Sequence, residues 1–480
     1  ASRTAPMQIR SIHFKALASA ALANPTLQAN LHKFGTGGLA LLRARAVEAY
    51  GRDAFEELRL AGEAIRNRAL ANLDVWLERF EAEATRRGAT VLWARNAEEA
   101  QALVLDICRR YGLKKAIKSK SMVSEEVGLN EALVADGVTP IETDLAEYII
   151  QLAQEPPSHI IVPAVHKGKD EVSVLFSEKH GTPPKSEPEA LTREAREVLR
   201  QHFLSADLGI SGANFLIAET GSGLIVTNEG NGRMVTTLPR VHICITGIEK
   251  VLPTLEDAAT LLRLLPRSAT GQPISNYVSI FTGPKGAQDL DGPEHMYFVL
   301  VDNGRTGLYG TDMQDMLRCI RCGACMNHCP VYRTIGGHAY GWVYPGPMGS
   351  VLTPSYAGME NAPDLPHAAT LCNQCGVVCP VRIPLPELLR KLREKQVERG
   401  MRPWTEMLAL RAWAFVALRP RLYELTQRAI SAFLRLKAGS GKRINSLPLI
   451  GGGWTQGRDF PRPRNKTFKQ KYRSRLRAEP

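Results

Sequence analysis

Seven of the nine cysteines fall between Cys319 and Cys379, while Cys108 and Cys244 lie elsewhere. Cys319-x2-Cys322-x2-Cys325-x3-Cys329-Pro330 matches in full the bacterial ferredoxin run, in which three thiolates grip one cubane cluster and the fourth reaches a neighbouring one. Tight turns at two-residue intervals can present three sulfurs to three iron corners, and Pro330 redirects the chain. The partner motif, Cys372-x2-Cys375-x3-Cys379-Pro380, is one cysteine short, because Ala369 stands at its first position. Crossing the motifs assigns Cys319, Cys322, Cys325 and Cys379 to cluster 1. Cluster 2 then receives Cys329, Cys372 and Cys375.

Cluster 1 is therefore expected to be [4Fe-4S]. Cluster 2 is either [4Fe-4S] with a non-cysteine or external fourth ligand, or [3Fe-4S]. Structural zinc is the competing use of such cysteines, but zinc knuckles usually lack a three-residue gap followed by proline. His328, His338 and His367 lie near the motifs and read as packing or surface histidines. The Gly- and aromatic-rich stretch from Ile335 to Pro347 is expected to wrap the clusters and lower the local dielectric. Cys108 and Cys244 sit in apolar runs and read as buried small hydrophobes.

The rest of the chain is globular in texture. Its 480 residues are 44% apolar and 23% charged, which excludes wholesale disorder and rod-like architectures. The net charge of +13 is concentrated in residues 401–480, which carry 18 Lys and Arg against 4 acids. The body is thus near neutral and no nucleic-acid partner is expected. No apolar run approaches the roughly 20 residues of a membrane span. Residues 1–10 lack the apolar stretch of a secretory signal, so a cytoplasmic location is expected.

Leu, Ala, Glu and Arg at three- and four-residue spacing predict a helical region over 1–88, packing on the domain that follows. Between 89 and 305, short β-branched runs alternate with helical patterns, predicting an α/β domain with a parallel sheet. Strands are expected at Thr90–Trp93, Lys115–Lys118, Thr139–Glu142, His159–Pro163, Asn214–Glu219, Leu224–Thr227 and Val241–Gly247. Helices are expected at about 97–110 and 124–137. Residues 306–400 form the two-cluster domain, ending in a helix that stops at Gly400. Over 401–480, amphipathic helices from Trp404 to Lys437, broken at Pro420, precede an extended basic arm. Those helices, with Arg411, Arg419 and Arg428 beside apolar residues, suit a core, a docked subunit or peripheral contact with an anionic membrane.

Several polar patches beside glycine lie at probable strand ends, where open α/β sheets bind ligands. The candidate pocket comprises Lys120, Ser121, Glu125, Glu219, Thr220, Asn231 and Arg233, with Lys120 and Arg233 supplying charge for an anion. Gly35-Thr36-Gly37-Gly38 and Gly221-Ser222-Gly223 do not make a dinucleotide fingerprint.

With these residues in view, the chain resembles the lactate utilization protein B family. The resemblance rests on Lys118 to Glu126, Glu142 to Leu145, Glu155 to Ile160, Asn228 to Pro239, Leu264 to Gln272 and Arg318 to Pro347. It implies an N-terminal LUD domain of NagB/RpiA/CoA-transferase-like type, followed by an α-helical ferredoxin-like dicluster domain. It also implies an iron-sulfur electron-transfer subunit in oxidation of L-lactate to pyruvate, passing electrons toward a quinone or other carrier. The implied partners are a cysteine-rich subunit of heterodisulfide-reductase type and a small LUD-domain protein. The shortened second motif is similar to that of family members. The alternative is that the LUD domain is itself a catalytic or metabolite-sensing site, with Glu219 acting as in CoA-transferase-like folds.

Overall fold

A computed structural model describes residues 9–275, 277–448, 452–455 and 458–476, without the side chains of 34–37. The chain divides into two units, 1–396 and 397–480.

The first unit is built on a six-stranded parallel sheet. Its strands are β1 (Thr90–Ala94), β2 (Lys115–Lys118), β3 (Thr139–Glu142), β4 (Leu208–Ser211), β7 (Val241–Gly247) and β10 (His295–Val301), in the order β1-β10-β7-β4-β2-β3. The central strands β4 and β7 are buried along their whole length, as expected of a sheet covered on both faces. Val241 pairs with Leu208 on one side and His295 on the other. One face packs on the helix Ala97–Tyr111 through Val104, Ile107 and Cys108. The other packs through Cys244 and Phe298 on Phe80 and Leu77. Cys108 and Cys244 are thus core residues, and burial raises their thiols to about 11 and about 12. A second, mixed sheet comprises β5 (Phe215–Ile217), β6 (Ser222–Val226), β8 (Val251–Leu252) and β9 (Val278–Phe281), in the order β8-β5-β6-β9.

Two expectations in this region need correction. His159–Pro163 is not a strand but a series of bends. His159 is buried, and its Nδ1 accepts from the backbone N–H groups of Ile161 and Val162, both at 3.0 Å. Those donors are therefore turned away from a sheet neighbour. The single helix expected over 124–137 is two, Met122–Glu126 and Leu129–Ala135, separated at Gly128 in the left-handed region.

Five helices precede β1: α1 (Phe14–Ala23), α2 (Pro25–Gly37), α3 (Leu39–Tyr50), α4 (Arg52–Ala71) and α5 (Leu73–Arg86). Asn24 caps α2 by accepting from Leu27 N, and Pro25 occupies its tolerated first position. α5 covers the sheet, whereas α1 and α2 lie against the cysteine segment at His338–Tyr340 and Tyr332–Ile335. α4 joins the two regions. Its Arg66, 1% exposed, donates to the carbonyls of Glu249 and Val251 on the α/β side and of Leu317 and Arg318 before the cysteines. Burial lowers that guanidinium to about 10.

The second unit contains the helices Trp404–Ala417 and Pro420–Ala438, in contact with each other, and a short ribbon pairing Arg443–Ile444 with Phe460–Pro461. The expected extended arm instead carries a helix at Phe468–Leu476, tied to Glu424 by Lys469 and Arg473. Neither long helix buries a residue, and Trp404, Trp413 and Leu436 stand exposed. Among the described residues no helix is long and apolar enough to cross a membrane.

Candidate metal centre

The cysteine motifs are loops held in unusual backbone conformations. Of the six non-glycine residues at positive φ among those described, four lie within or beside them: Arg321, Leu371, Asn373 and Arg382. Each such residue costs about 1–3 kcal/mol, and strain of this kind persists where the surroundings compensate for it. The turns aim backbone donors at sulfur. Arg321 N donates to Cys319 Sγ at 3.4 Å and Ile383 N to Cys379 Sγ at 3.3 Å. The N–H groups of Val331 and Tyr332 serve Cys329 in the same way, and that of Gln374 serves Cys372.

The thiols separate into two sets. Cys319, Cys322, Cys325 and Cys379 line one space, walled also by apolar residues including Ile160, Ile320 and Met348. Cys329, Cys372 and Cys375 form the other set, in which Cys375 feels the charge of both partners. Burial first, and then neighbouring thiols, push Cys322 and Cys375 up to about 12. Without iron these two sulfurs would stay protonated, because burial disfavours the thiolate and neighbouring thiolates would repel it. The donor chemistry fits iron-sulfur clusters, which hold thiolates by direct bonds and release their protons. Among the described residues, no three His, Cys, Asp or Glu side chains converge as a site for a single metal ion. Cys325 also lies within electrostatic reach of Cys375, which brings the two sets near one another.

Exposure varies within both sets: Cys319 and Cys325 are half-buried, whereas Cys329 and Cys375 are buried. Cys322 and Cys379 are buried, but Cys372 is exposed, and its thiol is lowered by hydrogen bonds from Gln374 N and the Thr370 hydroxyl. The nearby histidines have other partners. His328 Nδ1 donates to Ala324 O, His338 Nε2 to Pro156 O and His367 Nε2 to Gln396 Oε1. The stretch between the motifs buries Tyr340 and Tyr344, and Tyr340 lies close enough to sense Cys329 and Cys325.

A buried ionic network connects the first set to the α/β domain. Arg305 pairs with Glu126 at 2.8 Å and Glu249 at 2.6 Å, and Arg321 lies 3.5 Å from Glu249 and over the Tyr344 ring. Tyr344 donates to Glu126, closing the circuit. Burial would raise Glu249, but the charges of Arg305, Lys250 and Arg321 outweigh it and hold the carboxyl at about 2.

Beside this network is a cavity of about 150 Å³. It lies where the parallel strands end: Lys120 follows β2, Asp144 follows β3, Gly212 follows β4 and Lys250 follows β7. Arg321 and Ile160 belong to its wall and also to that of the first thiol set.

Three family models match the chain in succession: a LUD domain over 77–301, a 4Fe-4S dicluster domain over 315–383, and the C-terminal region of lactate utilisation protein B over 389–477. Lactate utilization protein B of Bacillus licheniformis is 44% identical over 441 residues, covering 91% of this chain and 92% of its own. That of Bacillus subtilis is 43% identical, covering 91% of each. The Geobacillus thermodenitrificans protein is 46% identical over 88% of this chain and 89% of its own.

The chain belongs to the lactate utilization protein B family.

Within the LUD domain of this family member, the seven pocket candidates do not gather at one place. Lys120, Ser121 and Asn231 line the cavity. Glu125 instead joins a buried cluster in which Lys118 Nζ meets Asn130 at 2.6 Å, Glu142 at 2.7 Å and Glu125 at 3.3 Å. Glu219 accepts from Leu255 N at the start of helix Leu255–Ala269, a structural role. Thr220 lies in the β5–β6 turn, and Arg233 is exposed on a separate groove with Lys285. Sequence patterns missed Lys250 and Arg321 as cavity residues. Lys250 had one usable signal, its place three residues after a long buried strand, whereas Arg321 was hidden inside a cysteine motif.

Proposed function

We propose that this protein is the iron-sulfur electron-transfer subunit of an L-lactate oxidation system. It works with a cysteine-rich subunit of heterodisulfide-reductase type and a small LUD-domain protein, and delivers electrons toward a quinone or another carrier. The observation carrying this reading is the division of seven cysteines into two neighbouring sets, the second of which reaches the surface at Cys372. Bound clusters supply one-electron redox chemistry. The chain's own residues hold the thiolates, exclude water from the first set and direct N–H groups at sulfur, which tunes potential.

For the second set, the reading is a [4Fe-4S] cluster whose fourth ligand is not cysteine, with [3Fe-4S] as the alternative. Support comes from the exposure of Cys372, which lets a ligand from solvent or from a partner reach this set. The test is iron and sulfide content with EPR on anaerobically purified protein. Two clusters that bleach on reduction are expected. Colourless protein holding zinc at these sulfurs would end the electron-transfer reading, and a stoichiometric three-iron signal surviving reconstitution would decide for [3Fe-4S].

The basic second unit, with its exposed Trp404 and Trp413, supports peripheral contact with an anionic membrane surface. Flotation with anionic liposomes at low salt tests this, and a protein that stays at the bottom of the gradient refutes it. The reading of Glu219 as a catalytic carboxylate has less support, because that group caps a helix.

A further inference from the structure

The loops that carry the first thiol set are held by guanidinium groups. On α3, Arg43 Nη2 donates to Val378 O at 3.0 Å, one residue before Cys379. On α4, Arg59 donates through Nε and Nη2 to Cys379 O at 2.9 and 2.8 Å, while Arg66 serves the carbonyls of Leu317 and Arg318 just before Cys319. Arg321 stands within the motif, between Cys319 and Cys322. A further donor, Lys250 Nζ, reaches Cys319 O at 3.4 Å. Positive charge therefore meets this set at both its Cys319 end and its Cys379 end.

Carboxylates match only part of that charge. Arg59 is paired with Glu56 and Arg321 lies 3.5 Å from Glu249, whereas Arg43 and Arg66 form no ion pair among the described residues. Four carbonyls complete the Arg66 fork, but Arg43 is left less satisfied. It is half-buried, its Nε has no hydrogen-bond partner, and its guanidinium carbon lies 5.6 Å from the centre of the Phe55 ring. The anionic groups that act on it are Cys322 first and then Cys379, both of the first set. A guanidinium stays charged at any ordinary pH, so this excess is permanent. The second set is held differently. Backbone N–H groups serve Cys329 and Cys372, and Arg393 reaches Ala369 O at 2.9 Å, three residues before Cys372. Cys372 is exposed there, so water screens that charge.

A cluster held by thiolates is anionic and gains one more negative charge on reduction, so its potential follows local charge and solvent access. Apolar walls disfavour the added charge. By themselves, the walls of the first set would leave its cluster harder to reduce than the second, which is open to water at Cys372. A fixed cation offsets that effect. We infer that Arg43, backed by Arg59, Arg66 and Arg321, raises the potential of the first cluster and so lets it exchange electrons with the second. The inference rests on the electron-transfer reading and deepens it by naming the residue that brings the two sites level.

The test is an anaerobic redox titration of the cluster-loaded full chain, followed by EPR. Arg43→Gln keeps a donor for Val378 O and removes the charge. It should lower the midpoint of one cluster by about 59 mV or more, a tenfold change in its reduced-to-oxidised ratio, and shift the other by less than about half as much. Arg43→Lys, which keeps the charge, should retain most of the wild-type value. In Cys372→Ala, whose second set lacks a ligand, adding Arg43→Gln should lower the remaining midpoint by the same amount, which assigns the effect to the first cluster. Unmoved midpoints in Arg43→Gln, equal shifts of both, or an Arg43→Lys protein that behaves like Arg43→Gln would each overturn the inference. Loss of iron in Arg43→Gln also overturns it, because the residue would then serve assembly rather than potential. None of these failures touches the electron-transfer reading, which fails instead if the wild-type protein carries no clusters.

Discussion

Gly323 shows how single positions control this protein. It lies between Cys322 and Cys325 at φ +74°, and a Cβ there would stand 3.1 Å from Ile161 Cγ1 and 3.3 Å from His159 Cε1. The bend that replaced the expected strand at 159–163 therefore presses on the cluster loop. We expect Gly323→Ala to cost about 1–2 kcal/mol in backbone strain alone, and to lower iron content by about four atoms per chain as the first cluster is lost. Unchanged iron by colorimetric assay would refute this. His242 illustrates a different constraint. It is fully buried on β7 beside Ser211, and desolvation lowers it to about 3. A histidine held neutral in the fold contributes stability that is complete above its unfolded value near 6.5 and is lost as pH falls toward 3. At pH 5 the loss is about 2 kcal/mol. Urea unfolding at pH 7.5 and pH 5 should therefore show a pH dependence smaller by about that amount in His242→Gln than in the wild type.

At the level of elements, α4 is the strut between the α/β domain and the cysteine segment. Its buried Arg66 fork satisfies four carbonyls from both sides. Arg66→Met keeps much of the volume but leaves those acceptors unpaired, at a cost of about 3 kcal/mol or more. The expected result is a lower urea midpoint and faster cluster loss, with Arg66→Lys intermediate because an ammonium cannot reproduce the planar fork. Equal midpoints for the wild type and Arg66→Met would show that the strut is dispensable. The helical character of α4 and α5 was legible from apolar spacing, and β2 and β3 from short β-branched runs. The arginine's role was not, since its partners lie more than 180 residues away in sequence.

Across the molecule, strained turns and closely grouped thiols in the cysteine segment imply that metal holds this region together. Removal of iron under anaerobic chelation should raise hydrogen exchange over 315–383 while β4, β7 and β10 stay protected; uniform protection before and after would contradict that dependence. The two cysteine motifs were legible along the chain, because a cluster imposes close spacing on its cysteines and so leaves a local imprint. The α/β class was legible too, because strand and helix periodicities are local. Tertiary structure alone decided that Lys120, Asn231, Lys250 and Arg321 share a cavity, that Glu219 caps a helix, and that residues 159–163 bend onto a cluster loop. Those outcomes depend on which strand ends meet and which buried donors find acceptors, and such long-range pairings leave no periodic trace along the chain.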